Sequence, residues 1–143
     1  MMKITSIILL IIFTFIIVSC ATKKESSNDE LYGTTWEMEY ISGPRIAFEG
    51  LYPDRKPTIT FDKESQKVLG NNSCNSYSAS FTLNGDSISF GEAGPTTRMY
   101  CGEGENVFLN MVQKINKFSF DQDGKLNMMM EEVPMMRFKK VNP

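Results

Sequence analysis

Tyr77, Ala79, Phe81 and Leu83 alternate with Ser78, Ser80 and Thr82, and Asn84-Gly85 then leads into Ser87-Ile88-Ser89-Phe90. No other stretch restricts the fold as strongly. A period of two sends one set of side chains to a core and the other to solvent. Asn-Gly between two such runs is a hairpin signal, because both residues tolerate positive φ.

Other segments extend the same pattern. Residues 35–41 alternate from Trp36 to Tyr40 and form a strand candidate, as do 58–61 and 67–69. Between them, residues 42–57 hold Gly43, Pro44, Gly50, Pro53 and Pro57 and read as one long loop, a kind that often carries function. The period changes once. Val107, Phe108, Met111, Val112 and Ile115 share one face of a helix spanning about residues 105–116. Residues 118–120 alternate again, Asp121-Gln122-Asp123-Gly124 makes a turn, and 125–131 returns as the partner strand. A last strand, 135–141, is entered through Pro134. The expectation is a mainly β domain, an antiparallel, barrel-like, strongly curled sheet of about eight strands with one amphipathic α-helix. There is neither an internal repeat nor a parallel βαβ pattern.

The first twenty residues belong to a different problem. Lys3 precedes an apolar run, residues 7–18, interrupted only by Thr14. As a helix this run spans roughly 18 Å, short of the ~30 Å bilayer core. It ends in Ile17-Val18-Ser19-Cys20, which resembles a bacterial lipobox, where cleavage leaves an acylated cysteine. Residues 1–19 are thus expected to be a lipoprotein signal peptide. Cys20 is the expected lipidation site, and residues 20–30 a flexible tether too polar to fold alone. The domain proper is expected at 31–141. Acyl chains contribute about 0.8 kcal/mol per buried CH₂, enough to hold the protein on a membrane. Residues 20–143 carry 14 Lys+Arg against 17 Asp+Glu, so attraction to anionic lipid does not substitute for that anchor. The expected location is the cell envelope, on the outer membrane facing periplasm or surface.

Charge and composition remove several functions. A net charge of −2 gives no basic footprint for nucleic acid. The chain contains no histidine, which excludes Ser-His-Asp and Cys-His catalysis, His-ligated zinc and an imidazole pH switch. With Cys20 acylated, Cys74 and Cys101 remain as an even pair in an exported protein, and a disulfide between them is expected. Closing a loop of ~27 residues would stabilise the fold by roughly 3–4 kcal/mol. The alternative, a redox or metal pair, lacks a CxxC spacing and further ligands.

Four segments together resemble the META domain family, the HslJ-like envelope proteins of bacteria. Leu31-Tyr32-Gly33-Thr34-Thr35-Trp36 is similar to its opening Leu-x-Gly-x-x-Trp strand. Pro57-Thr58-Ile59-Thr60-Phe61 with Val68-Leu69-Gly70 resembles its second hairpin. Cys74-Asn75-Ser76-Tyr77-Ser78 is similar to Gly-Cys-Asn-x-x-x-Gly, and Thr97-Arg98-Met99-Tyr100-Cys101 to Thr-x-Met-x-Cys. Ser73 and Ala79 stand where the signature has glycine, which puts the backbone beside Cys74 in question. The resemblance implies a barrel-like β fold with one helix, found in secreted proteins and lipoproteins. It also implies links to heat shock and antibiotic tolerance, with no established catalytic activity.

Asn72, Cys74, Asn75, Tyr77, Thr97, Arg98 and Tyr100 are the polar and aromatic residues of the two signature segments, and a Cys74–Cys101 bond would join them. Asn75, Tyr77, Thr97 and Arg98 are the candidate recognition residues, with Arg98 suited to a carboxylate or phosphate. The plainer reading has Asn75 and Thr97 satisfying turn backbone and Arg98 in solvent. Residues 128–136 hold five methionines, a soft ligand set for Cu(I) or, more simply, irregular core filling. Glu131-Glu132 should diverge on a strand, while Glu103 and Glu105 suit a helix N-terminus. A glycosidase would need two carboxylates facing each other across a cleft, and nothing in the sequence shows such a pair.

The expected function is therefore a non-enzymatic envelope lipoprotein: a binding module with neither cofactor nor metal. Its partners are the membrane, through Cys20, and an envelope protein or small molecule, with no nucleic acid. The alternatives are a carrier of an apolar ligand lined by Trp36, Tyr40, Phe48, Tyr52 and Phe81, or a methionine-based copper protein using residues 128–136.

Overall fold

The structure, a computed structural model, describes residues 26–95, 99–100 and 102–141. The expected signal segment, the lipidation site Cys20, Thr97, Arg98 and Cys101 lie outside the described residues. Among the described residues, three helices, α1 (Ser26–Leu31), α2 (Phe48–Leu51) and α3 (Glu103–Val112), accompany nine strands. These are β1 (Thr35–Ile41), β2 (Thr58–Asp62), β3 (Lys67–Asn71), β4 (Ser76–Asn84), β5 (Ser87–Phe90), β6 (Gly94–Pro95), β7 (Lys117–Phe120), β8 (Leu126–Met130) and β9 (Val133–Val141).

Eight strands follow one another around a curled antiparallel ring in the order β3-β2-β1-β9-β8-β7-β5-β4, and β4 pairs back onto β3. The two-residue β6 is a ninth piece, added to β4 opposite Tyr77 and Ser78. Ring formation pairs edges that would otherwise invite aggregation. The thinnest seam lies between β5 and β7, which register only at Ser87 and Lys117. Backbone bonds from Ile88 to the Asn116 carbonyl and from Phe118 to the Asp86 carbonyl support it there.

The alternating runs face as a period of two requires. Tyr77, Ala79 and Phe81 of β4 are buried, as are Ile59 and Phe61 of β2 and Val68 of β3. Inside the ring they meet Trp36, Met38, Phe108, Leu126, Met128, Met136 and Phe138, all essentially inaccessible. Each large side chain buried in this way contributes roughly 1.5–3 kcal/mol. Phe61 meets Phe81 edge-on with ring centroids 5.2 Å apart, the arrangement the ring quadrupoles favour. Helix α3 adds Phe108, which packs against Tyr77 at 5.5 Å, together with Met111 and Val112.

Several boundaries differ from the sequence reading for identifiable reasons. In β1 the inward run stops at Met38. A bulge shifts the register, so Tyr40 lies opposite Arg137 and is exposed, while Ile41 turns inward opposite Met136. The β4–β5 turn is centred on Gly85-Asp86, because Asn84 already pairs with Ser87, and Gly85 alone takes positive φ, at 64°. The helix is α3, 103–112, instead of 105–116. After Val112, bonds from Lys114 to the Met111 carbonyl and from Ile115 to the Val112 carbonyl tighten the chain into a turn that still buries Ile115.

Pro134 lies within β9, near its start. Only β8 pairs with it there, through Met129, because β1 ends at Ile41 opposite Met136, so no ladder donor is lost towards β1. The end of the expected tether overlaps α1. Leu31 is fully buried and its carbonyl accepts a bond from Trp36 Nε1 at 3.2 Å. Asp29 and Glu30 pair with Lys63 and Lys140 at 3.0 and 2.6 Å.

Candidate functional site

The 42–57 segment is less open than its prolines and glycines suggest. It contains α2, and Leu51 and Tyr52 at its end enter the core. The Tyr52 hydroxyl donates to the Gly104 carbonyl at 3.0 Å, which fastens this segment to the first turn of α3. Gly104 permits the approach, because a Cβ there would press on the Leu51 carbonyl oxygen and lie 2.8 Å from Cε1 of Tyr52. Burial pushes the Tyr52 hydroxyl well above its ordinary pKa.

Beside this junction, residues 72–75 turn the chain from β3 into β4, closed by the Asn72 N–H bonding to the Asn75 carbonyl at 3.0 Å. Ser73 holds φ at 127°, in a region L side chains rarely adopt. The serine has thus replaced a signature glycine without releasing the backbone from a glycine-type conformation. Ala79, the other departure, sits in β4 opposite Val68, where its methyl is buried in the core.

Three buried or half-buried polar side chains organise the turn. Asn75 is 2% exposed. Its Nδ2 donates to the Met99 carbonyl at 2.6 Å and to Glu105 Oε2 at 2.8 Å, and its Oδ1 accepts from the Met99 N–H at 2.9 Å. One amide therefore holds both backbone groups of Met99. Asn72 Nδ2 donates to the other oxygen of the same carboxylate, Glu105 Oε1, at 2.8 Å. Asn72 Oδ1 is buried and has no hydrogen-bond partner among the described residues. Glu105 thus clamps two asparagines on the β3–β4 turn. Sequence reasoning assigned Glu105 only to the helix dipole, since nothing in its spacing reveals partners thirty or more residues away.

Against this framework lies an open cleft of about 650 Å³, lined by Pro53, Asp54, Arg55, Ser73, Cys74, Met99 and Tyr100. Met99 and Tyr100 are 62% and 86% exposed. Asp54 and Arg55 are also exposed, and neither forms an ion pair among the described residues.

Of the candidate recognition residues, the structure brings Asn75 to the cleft's foundation but seats Tyr77 in the core. Tyr77 is 2% exposed, its hydroxyl donates to the Thr58 carbonyl at 3.3 Å, and burial drives its pKa strongly upward. It therefore supports the fold from inside and presents no surface to a partner. Cys74 Sγ lies 3.9 Å from the Met99 carbonyl oxygen. Arg55 and Met99 were not singled out by the sequence, because only folding sets the 42–57 segment beside the second signature segment.

The other constellations disperse. Met128 and Met136 face each other in the core, while Met130 is exposed and Met129 Sδ accepts a bond from Ser119 Oγ at 3.3 Å. Of the aromatics considered for an apolar ligand, Trp36, Phe81 and Tyr52 are core, Phe48 packs against the core and Tyr40 faces solvent. None of the five lines the 650 Å³ cleft.

Comparison with known proteins follows the same outline. The META domain family model matches residues 29–142. No curated protein matches the chain. Among solved structures, an NMR structure of a protein from Burkholderia xenovorans superposes with a TM-score of 0.62 at 21% identity, covering 80% of this chain and 86% of that one. At that identity the likeness is one of fold.

Proposed function

The chain belongs to the META domain family, and on that premise we propose that it is a lipid-anchored, non-enzymatic binding module of the bacterial envelope that takes its partner at the Tyr100 cleft and supports stress tolerance. One observation carries this reading. Buried polar groups, Asn75 and through it Glu105, hold the backbone of Met99 in place while Met99 and Tyr100 themselves stand in solvent. A folded domain gains nothing from ordering exposed apolar side chains, whereas a binding surface gains by being preorganised.

The short distance in sequence from the expected lipidation site to α1 supports an anchored protein. Lys63, which pairs with α1, lies in the turn before β3, and the 72–75 turn follows β3. The cleft and α1 are therefore separated by the length of β3, about 13 Å at strand rise. Cys20 precedes α1 by six residues in the sequence. The contact of Cys74 Sγ with Met99, two residues before Cys101, supports a Cys74–Cys101 disulfide.

Membrane fractionation of cells carrying the full-length chain tests the anchor: Cys20→Ala should move the protein from the membrane to the soluble fraction, and unchanged partitioning would contradict it. Deletion of the gene should raise sensitivity to heat or lipophilic antibiotics, restored by the wild-type chain. Wild-type tolerance across those stresses would remove the stress role. Intact mass of the oxidised protein should fall two hydrogens below that of the reduced chain.

A further inference from the structure

We propose that Ser87 is an O-glycosylation site, where the exported protein receives a sugar on the outer face of the ring. The proposal rests on export to the envelope and not on the Tyr100 cleft.

Asp86-Ser87-Ile88 resembles the Asp-Ser-aliphatic triplet at which some bacteria attach O-linked sugars to exported proteins, and no other aspartate in the chain precedes Ser or Thr. A three-residue match gains weight only from its structural context. Asp86 and Ser87 lie at the β4–β5 turn, and both are exposed. Ile88 turns into the core, so the period of two sends Ser87 outward. The Ser87 hydroxyl has no hydrogen-bond partner among the described residues, whereas Thr82 and Ser89, the next pair along the same face, hold each other at 2.6 Å. The acceptor oxygen is therefore available while its backbone is fixed, in register with Asn84 and Lys117. A transferase meeting the folded domain reads Asp86 and Ser87, and one meeting the chain before the ring closes also reads Ile88. Either order leaves the sugar outside.

A shallow groove of about 200 Å³ runs beside the site, lined by Thr82, Leu83, Asn84, Ser87, Ile88 and Ser89. Its hydroxyls and amide can bond sugar hydroxyls, and half-buried Leu83 offers an apolar surface to the C–H face of a ring. The 72–75 turn lies at the far end of β4, about 27 Å away at strand rise, so this site and the cleft are separate.

The step is a glycosyl transfer. The Ser87 Oγ–H bond gives way to an Oγ–C1 bond at the anomeric carbon of a sugar carried on a polyprenyl diphosphate. The diphosphate leaves with the electron pair of the broken C1–O bond, and a base of the transferase takes the serine proton. The exposed Asp86 carboxylate gives a cationic transferase site its point of recognition.

Intact mass of the protein purified from the membrane fraction of its native cells tests the proposal, because recovery there establishes export in the same sample. The mass should exceed that of the acylated chain by whole saccharide units, and fragmentation should place them on Ser87. Ser87→Ala should remove the added mass, Ser87→Thr should keep it, and Asp86→Asn should lose it. Rescue by threonine separates loss of the hydroxyl from misfolding of the variant. An unmodified mass from the membrane fraction would overturn the proposal, as would added mass that survives Ser87→Ala or is indifferent to Asp86→Asn. A chain recovered only from the cytosol would remove the export on which the proposal rests, and the proposal with it.

Discussion

Tyr52 and Gly104 meet across the junction of two segments separated by half the domain: the phenol donates to the glycine carbonyl at 3.0 Å, and only a hydrogen on Gly104 leaves room for the ring. This contact sets the start of α3, and Glu105 follows immediately. The position of the carboxylate that clamps Asn72 and Asn75 is thus inherited from a glycine.

Gly104→Ala should therefore destabilise the protein, although alanine is the better helix former. Overpacking of this kind costs about 1–3 kcal/mol, against a gain of at most about 1 kcal/mol in helix propensity. Urea denaturation should show a lower midpoint at unchanged slope. A higher midpoint would mean that the Tyr52 ring moves aside freely.

Asn75→Ala removes the amide shared by Met99 and Glu105. Each buried group left unpaired costs about 1–3 kcal/mol, and part of the loss is recovered if water enters the cleft. A loss of roughly 2–4 kcal/mol is expected by the same denaturation measurement. Backbone hydrogen exchange at Met99 should accelerate, while exchange in β1 and β9 should change only as global stability does. Undisturbed exchange at Met99 would show that its segment is held by other means.

Ser73→Gly should stabilise. The serine sits at φ 127°, where strain is of order 1–3 kcal/mol, and glycine relieves it at an entropic cost of about 0.4–1 kcal/mol in the unfolded chain. A rise in thermal midpoint is the expected readout. A fall would indicate that the hydroxymethyl group makes a contact more valuable than the relief of strain.

Alkaline pH should unfold the domain. Tyr52 and Tyr77 both have hydroxyl pKa values raised above the ordinary 10.0 by burial, so the folded state keeps their protons more tightly than the unfolded chain does. This contribution is complete below pH 10 and is lost as pH rises from there towards the folded values. Stability followed by tryptophan fluorescence should decline above pH 10. Tyr77→Phe, though weaker at neutral pH for lack of the Thr58 bond, should show a shallower decline. An equally steep decline would place the alkaline sensitivity elsewhere.

Much of the fold could be read from local pattern. The alternation in Tyr77–Phe81 places those residues inward wherever the strand ends up, because successive side chains must take opposite faces. The helix was legible from Phe108, Met111 and Val112, which share a face at its period. Tyr40 shows the limit. Its place in an alternating run pointed inward, yet a bulge reversed it, and a bulge depends on how β1 pairs with β9.

The sequence by itself determined the mainly antiparallel β class, the family signature, the helix face and the chemistry that a chain without histidine gives up. Those are properties of near neighbours and of composition. Tertiary structure alone decided that Tyr100 stands in solvent, that Glu105 serves two asparagines, and that Arg55 and Met99 line one cleft. Each of these joins residues far apart in the chain. Such contacts form only when the ring closes and α3 docks, and no local periodicity encodes which distant residues that closure brings together.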